Sequence, residues 1–445
     1  MRRREVKMSK NLSVNVEFLT RVEGHGHIVV DMKNGKLNKC ELKIAEAPRF
    51  FEAMVRGRSI FELQHITCRI CGICSCGHSL ASIQAAEDAI GFTPSEQTVM
   101  LRKILLHLEN LDSHILHIYM LVAPDMLGKK SALALTSTHG DAVRRALRMK
   151  KCCNDACAVL VGRHVHPISS TVGGFTKIPS EADLLEMKKH FSAIKQDLLP
   201  TLELAKTFVF PEFERETEYV SLANDTEYAL LNGKVKSSKG ILKDKSEYKT
   251  LTNEFLVPHS TAKHCKLSGE SYMVGALARF NNNYDMLHPL AKYAADELRL
   301  KPVCSNVYLN TAAQIVECFH FTDDAIQIID KLLEKGTDKS EAIIVGLNEN
   351  EVIKVKAGKG VGAVEVPRGL LYHSYEVDDK GTILSADCVI PTGQNLENIE
   401  LDMRKLASMV CDRPQEEATL LFEMMVRAYD PCISCSTHVL EVDFV

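Results

Sequence analysis

Apolar and polar positions alternate in two runs within residues 14–45. Ile28, Val29 and Val30 precede Asn34-Gly35, and a second β-prone run covers 37–44. Asn-Gly between two such runs predicts a tight hairpin, because both turn residues tolerate positive φ. The spacing then turns helical over 47–66 and again over 79–89, where Gly91 and Pro94 close the segment. Residues 95–122 predict a long helix that carries His107, His114 and His117 on nearly one face, with Asp112 close by. Helices are predicted over 141–161 and 180–206. Residues 215–270 are polar and lysine-rich and are broken by Gly233 and Gly240, the signature of a surface excursion or small subdomain. Helical spacing returns over 282–300 and 310–336. Short β-prone runs follow at 342–347, 352–357, 362–366, 370–377 and 382–390, the last two joined by the turn-forming Asp379-Lys380-Gly381. A final helical stretch covers 396–428.

The expected architecture is α+β and predominantly helical. A central bundle of long helices would carry an N-terminal β-hairpin and a smaller β-rich lobe. The expected segments are 1–67 (hairpin and lead-in helix), 68–214 (helix bundle), 215–275 (excursion), 276–340 (helices), 341–395 (β-rich lobe) and 396–445 (C-terminal helix and tail). No internal repeat or low-complexity stretch interrupts this order.

Composition narrows the function. The formal net charge of −4 gives no footing for nucleic acid. No run of about 18 apolar residues occurs, so no membrane span is expected. Met1-Arg-Arg-Arg is not followed by an apolar core, which argues against an export signal. Fifteen cysteines in a chain without secretory features point to metal or redox use in the cytoplasm rather than to a disulfide framework.

Those cysteines concentrate at two places. Arg69-Ile-Cys71-Gly-Ile-Cys74-Ser-Cys76-Gly-His78 lies near the start, and Asp430-Pro-Cys432-Ile-Ser-Cys435-Ser-Thr-His438 lies near the end. Each holds a Cys-x-x-Cys pair with a histidine shortly after it. Such a turn lets two thiolates converge on one ion, and two turns supply four soft ligands suited to nickel, zinc, copper(I) or iron. Zinc ribbons set their pairs ~15–20 residues apart, whereas here almost the whole chain lies between them. A closed structural zinc site, unliganded cysteine pairs and a catalytic metal site all remain open at this point. For either metal site the two ends of the chain would have to meet at a buried site.

The two motifs resemble the paired signatures of the nickel–iron hydrogenase large subunit. Intervening pieces match in order: Arg21-Val-Glu23-Gly24, Gly162-Arg-x-x-His166-Pro167, Pro367-Arg368-Gly369 and Val389-Ile390-Pro391-Thr392. The resemblance implies that Cys71, Cys74, Cys432 and Cys435 hold nickel, with Cys74 and Cys435 bridging to an iron that carries carbon monoxide and cyanide. It implies that Glu23 relays protons beside a nickel thiolate and that Arg368 covers the open side of the metal pair. Asp112 and Asp430 would hydrogen-bond Arg368 or its surroundings, Pro391 and Thr392 would face the cyanides, and His78 would stand in the outer shell. Glu52, a backbone carbonyl near Cys388, and His438 would bind magnesium or iron. Cys68, Cys76, Cys152, Cys153 and Cys157 are expected to serve packing.

The implied reaction is reversible heterolytic cleavage of dihydrogen. Electrons would pass to an iron–sulfur small subunit and, through diaphorase-type subunits, to a soluble acceptor such as NAD(P) or ferredoxin. The same family's large subunit usually ends at the histidine after proteolysis, whereas Val439 to Val445 follows it here. Two other readings compete: a complex-I-like quinone-site relative, which the four retained cysteines disfavour, and a structural zinc scaffold.

Overall fold

The structure is a computed structural model that describes residues 11–437. His438, the tail 439–445 and the N-terminal arginines therefore lie outside the described residues. About half of the described chain is helical, and its sheets are small and antiparallel.

Asn34 and Gly35 both adopt positive φ, as a primed turn requires. The turn joins β2 (Gly26–Lys33) to β3 (Lys36–Ile44), and β1 (Leu12–Val16) adds a third strand on the β2 edge. One face of this sheet is buried at every second residue, including Ile28, Val30 and Met32. It packs against two helices from the other end of the chain, Pro391–Val410 behind β3 and Gln415–Ala428 behind β1. The predicted single helix over 396–428 is thus two. Pro414 opens the second, because a proline lacks the amide that a continuing helix would need.

Four long helices close into a ring: α2 (Glu96–Leu116), α3 (Gly140–Val161), α4 (Glu181–Ala205) and, far along the chain, α6 (Asn310–Lys335). The preceding α1 (Ser75–Ile90) carries the first cysteine motif at its start, and α5 (Ala276–Asn283) leads towards α6. The histidine stripe of α2 faces α6. His107, His114 and His117 bond Asp324, Glu317 and Gln314 at 2.7, 2.7 and 2.6 Å, an antiparallel ladder across the helix pair.

The 215–275 segment forms a three-stranded sheet, β4 (Val220–Ala223), β5 (Lys234–Ser237) and β6 (Leu242–Lys243). Its Val220, Leu222 and Tyr248 share one core with Val361, Leu370 and Tyr372. Those last residues belong to β7 (Gly358–Val366) and β8 (Gly369–Val377), which pair with β9 (Ile383–Val389). The runs 342–347 and 352–357 are not strands, contrary to expectation. Ile343 and Ile353 plug a core with Val172 while Leu347 and Val352 point outward, so the apolar residues serve as anchors of an irregular segment. Downstream come α7 (Pro391–Val410) and α8 (Gln415–Ala428), which deliver the chain to the second cysteine pair.

Candidate metal centre

Cys71 and Cys74 flank the entry to α1, and Cys432 and Cys435 lie on the short turn that follows α8. The two turns meet. Cys71 Sγ lies 3.6 Å from Cys432 Sγ, and Cys74 Sγ lies 3.9 Å from Cys435 Sγ. All four sulfurs are within 4.8 Å of one another, and all four side chains are buried. These separations are far beyond the ~2.05 Å of a disulfide, and every cysteine is free.

The surroundings favour anionic sulfur at one corner. The amides of Ile73 and Cys74 each donate to Cys71 Sγ at 3.2 Å. Hydrogen bonding with the other three cysteines, together with the charge of Arg368, holds the Cys71 thiol well below its usual range against the effect of burial. Burial pushes Cys432 and Cys435 well above theirs. Four buried soft donors that cannot all ionise unaided match a soft divalent ion, which supplies the compensating charge. The donor set therefore fits nickel or another thiophilic metal and does not fit calcium or magnesium.

The N-terminal loop is stitched to this turn. Glu23 and Cys432 form a parallel bridge, and Ile433 N donates to Glu23 O at 2.9 Å. Gly24 stands where a Cβ would meet Ile433 and Ser434 at 2.8 and 2.9 Å, so only glycine permits this approach. The carboxylate of Glu23 accepts from Cys432 Sγ and from Ser434 N, each at 3.1 Å. Glu46 lies next outward. It hydrogen-bonds Ser434 and also accepts from His25 N at 2.8 Å, and His25 is exposed.

Arg368 sits on the turn between β7 and β8. Its Nε donates to Asp430 O at 2.6 Å, one terminal nitrogen donates to Asp430 Oδ1 at 2.8 Å, and the other reaches Ser113 Oγ at 3.3 Å. Burial opposes its charge, but Asp430 and the nearby thiols raise its pKa further still. Asp112 does not join this set. Its carboxylate binds Lys150 of α3 at 2.7 and 2.8 Å, because adjacent helix positions face ~100° apart and Ser113 takes the inward place. Thr392 Oγ accepts from Cys432 N at 2.9 Å, and Pro391 opens α7.

A second layer lies behind Cys71 and Cys74. His78 Nδ1 is 3.0 Å from His373 Nε2, and His373 Nδ1 lies 2.7 Å from Tyr375 Oη and 3.5 Å from Cys388 Sγ. Burial lowers the His78 pKa to about 4, so the ring is neutral at pH 7. Glu52 accepts from Cys388 N at 2.8 Å, and burial pushes its carboxyl up to about 7. Among the expected participants in this corner, His438 lies outside the described residues.

Several residues around the site escaped the sequence reading, Glu109 among them. Glu109 accepts from Cys76 N at 2.6 Å and from Gly77 N at 3.0 Å, capping the helix that starts at the first cysteine pair. Burial pushes its carboxyl up to about 8. It precedes Ser113 by one helical turn and shares its face, which was the available signal. The extra cysteines form no further metal-like cluster among the described residues. Cys76 and Cys157 face each other at 4.0 Å inside the core.

Comparison with known proteins gives a consistent result. A family model described as "Nickel-dependent hydrogenase" matches residues 49–144 and 224–438. The chain is 34% identical over 439 residues to sulfhydrogenase 1 subunit alpha of Pyrococcus furiosus, spanning 97% of this chain and 99% of that one. It is 26% identical to the beta subunit of the NAD-reducing hydrogenase HoxS of Cupriavidus necator, spanning 97% and 96%. A solved structure of an NAD+-reducing NiFe hydrogenase in the H2-reduced state superposes with a TM-score of 0.81 at 25% identity, covering 96% of this chain and 99% of that one.

Proposed function

The chain belongs to the nickel-dependent hydrogenase family, and from that premise we propose how its residues carry out the reaction. It is a nickel–iron hydrogenase catalytic subunit. In our reading, Cys71, Cys74, Cys432 and Cys435 would hold the nickel–iron centre, with Cys74 and Cys435 assigned to both metals and carbon monoxide and cyanide expected on the iron. When bound, that centre supplies the soft electrophile that polarises dihydrogen and draws off its electron pair.

The chain's own residues handle the proton and the charge. Cys432 Sγ takes the proton and Glu23, at 3.1 Å, receives it. Ser434, whose amide donates to Glu23 and whose side chain meets Glu46, and then the exposed His25 on Glu46, lie in order beyond Glu23 and mark the outward direction we assign to the proton. Arg368, pinned by Asp430, holds a positive charge that titration cannot remove and keeps it against the open side of the site. Thr392 fixes the backbone of Cys432, and with Pro391 it lines the side assigned to the cyanides. Glu52, next to Cys388, fits a magnesium or iron site completed by His438 and a backbone carbonyl.

Electrons leave through a partner, in this reading an iron–sulfur small subunit with diaphorase-type subunits behind it. We assign a soluble acceptor such as NAD(P) or ferredoxin, and the name of one relative, NAD-reducing hydrogenase, supports the first of these. Among the described residues no helix is long and apolar enough to cross a membrane. The cytoplasmic location is part of our proposal and goes with a soluble acceptor.

The convergence of four thiols from opposite ends of the chain carries the reading. Purifying the native complex tests it. Nickel and iron together, infrared bands of metal-bound carbon monoxide and cyanide, and hydrogen-dependent reduction of NAD(P) or ferredoxin are expected. Zinc alone, without hydrogen uptake, would sink it.

A further inference from the structure

We propose that His259, His264 and Glu400 form a second metal site, built for a divalent ion of the zinc type and sharing no ligand with the four-thiol centre. One ligand atom from each residue lies within 4.8 Å of the others. The three come from two unrelated parts of the chain. His259 and His264 lie on the irregular segment that follows the short helix Tyr248–Thr252, and Glu400 lies on α7. Glu397, one helical turn before Glu400, projects from the same face.

The hydrogen bonds show which nitrogen is offered. His264 Nδ1 bonds the Glu397 carboxylate at 2.8 Å, and that bond holds the Glu397 pKa below its ordinary value. A carboxylate only accepts, so Nδ1 carries the proton and Nε2 is left with its lone pair. That Nε2 is buried without any hydrogen-bond partner, and His264 as a whole is 0% exposed. A buried acceptor left unmade costs roughly 1–3 kcal/mol, so native proteins leave few of them. Carboxylate, imidazole and metal in line is the usual way a protein fixes the tautomer and orientation of a ligating histidine.

The simpler reading is an ordinary buried ion pair, and it accounts for part of the geometry. His259 Nε2 lies 2.6 Å from Glu400 Oε1, which also accepts from Leu42 N at 2.9 Å. Arg404 stands 3.8 Å from the other oxygen. A pair needs neither His264 nor Glu397. It leaves unexplained a second imidazole brought to the same carboxylate, oriented by its own acid, with its free nitrogen sealed from water. Two imidazoles and a carboxylate suit zinc, with the fourth position left to water. The His259 side chain is 19% exposed, which provides entry for the ion.

Such a site would clasp the segment around 255–265 to α7. The same segment is already bridged to β3, where Ser260 pairs with Ile44 and Thr261 N donates to Ile44 O at 2.9 Å. At its other end α7 begins with Pro391 and Thr392, which touches Cys432 N. The proposed ion is therefore a fastener for the wall of the catalytic site rather than a participant in hydrogen chemistry.

Elemental analysis of the purified native complex is the test, with nickel as the internal control. One zinc per large subunit beyond the nickel and iron is expected. H264Q and H259A should each lose it while nickel content stays level, and the second variant guards against misfolding of the first. E397Q should keep the ion but release it to a chelator at a ten- to hundredfold lower chelator concentration. If the ion is lost in purification, titrated cobalt(II) should restore a visible absorption band in the native complex and not in H264Q. An extra iron, lost in the variants, would keep the site but overturn the assignment to zinc. No extra metal together with no cobalt binding, or the same metal content in every variant, would overturn the site altogether.

Discussion

Each of the three guanidinium nitrogens of Arg368 is tied to a fixed partner. Its guanidinium spans Asp430 and Ser113 in a buried position, a fork geometry that lysine cannot reproduce. R368K should keep nickel and iron yet lower hydrogen uptake by on the order of a hundredfold, the scale of a misplaced positioning group. Equal activity in the two proteins would remove Arg368 from the mechanism. Glu23 calls for a different measurement. E23Q keeps the hydrogen bond from Ser434 N but cannot carry a proton, so metal content should hold while hydrogen–deuterium exchange slows sharply. C435A should abolish both nickel loading and uptake if the four convergent thiols are the ligands, since it removes one of the four. The four thiols and Glu23 were legible because their motifs are short and local. Asp112 was misplaced because a helix turns each successive residue away from its neighbour, and only the packed structure tells which one faces inward. Glu109 was hidden for the opposite reason: a carboxylate in a helix looks like solvated surface until its partners, the amides of Cys76 and Gly77, are known.

The elements meet most closely where β7 lies along α1. Gly358, Gly360 and Gly362 occupy alternate strand positions and therefore share one face. A Cβ there would come within 2.1, 2.2 and 2.0 Å of the backbone oxygens of Ala89, Ala85 and Ala81. The alanines are spaced four apart, so the helix offers one smooth stripe to three strand positions that carry no side chain. G360V should separate the two elements. Overpacking of this kind costs about 1–3 kcal/mol, and more where backbone cannot yield. Because α1 opens at the first cysteine pair, the variant should show a lower Tm by calorimetry and reduced nickel per chain. An unchanged Tm would mean that the helix and strand slide apart at little cost. The alternating glycines fell partly between the predicted β-prone runs 352–357 and 362–366, and their partner stripe lies more than 250 residues earlier, where no local pattern names it. The mistaken strands at 342–347 and 352–357 have a similar origin. Apolar β-branched residues anchor an irregular segment as readily as they form a ladder, and only a neighbouring strand decides between them.

At the scale of the molecule, a buried charge network joins the helix bundle to the site. Glu317 of α6 accepts from Arg279 at 2.6 and 2.7 Å, from Tyr228 Oη at 2.7 Å and pairs with His114. Arg279 continues to Glu365 at 3.0 Å and to Val366 O at 2.9 Å, two residues before Arg368. Burial works against the Glu317 carboxylate, yet Arg279 and His114 lower its pKa from 4.5 to about 2. A depressed carboxylate stabilises the folded state above its unfolded pKa. That contribution is full above about pH 4.5 and is lost as the pH falls towards about 2. Acid unfolding followed by near-ultraviolet circular dichroism should therefore steepen within that window. E317Q should flatten it while lowering stability near neutrality by roughly 3–5 kcal/mol, because Arg279 would be left incompletely paired. A pH profile identical to that of the native protein would place the acid-sensitive group elsewhere.

Asp125 gathers the two ends of the chain. It accepts from Arg21 on the N-terminal loop and, at 2.8 Å, from Arg427 Nε just before the second cysteine pair, while Arg427 also reaches Thr20 O at 3.2 Å. A polypeptide still attached to the ribosome presents Cys71 and Cys74 long before residue 432 exists. If all four thiols are needed for metal, the complete donor set exists only once translation has passed Cys435, and until then the first pair waits with two bare sulfurs.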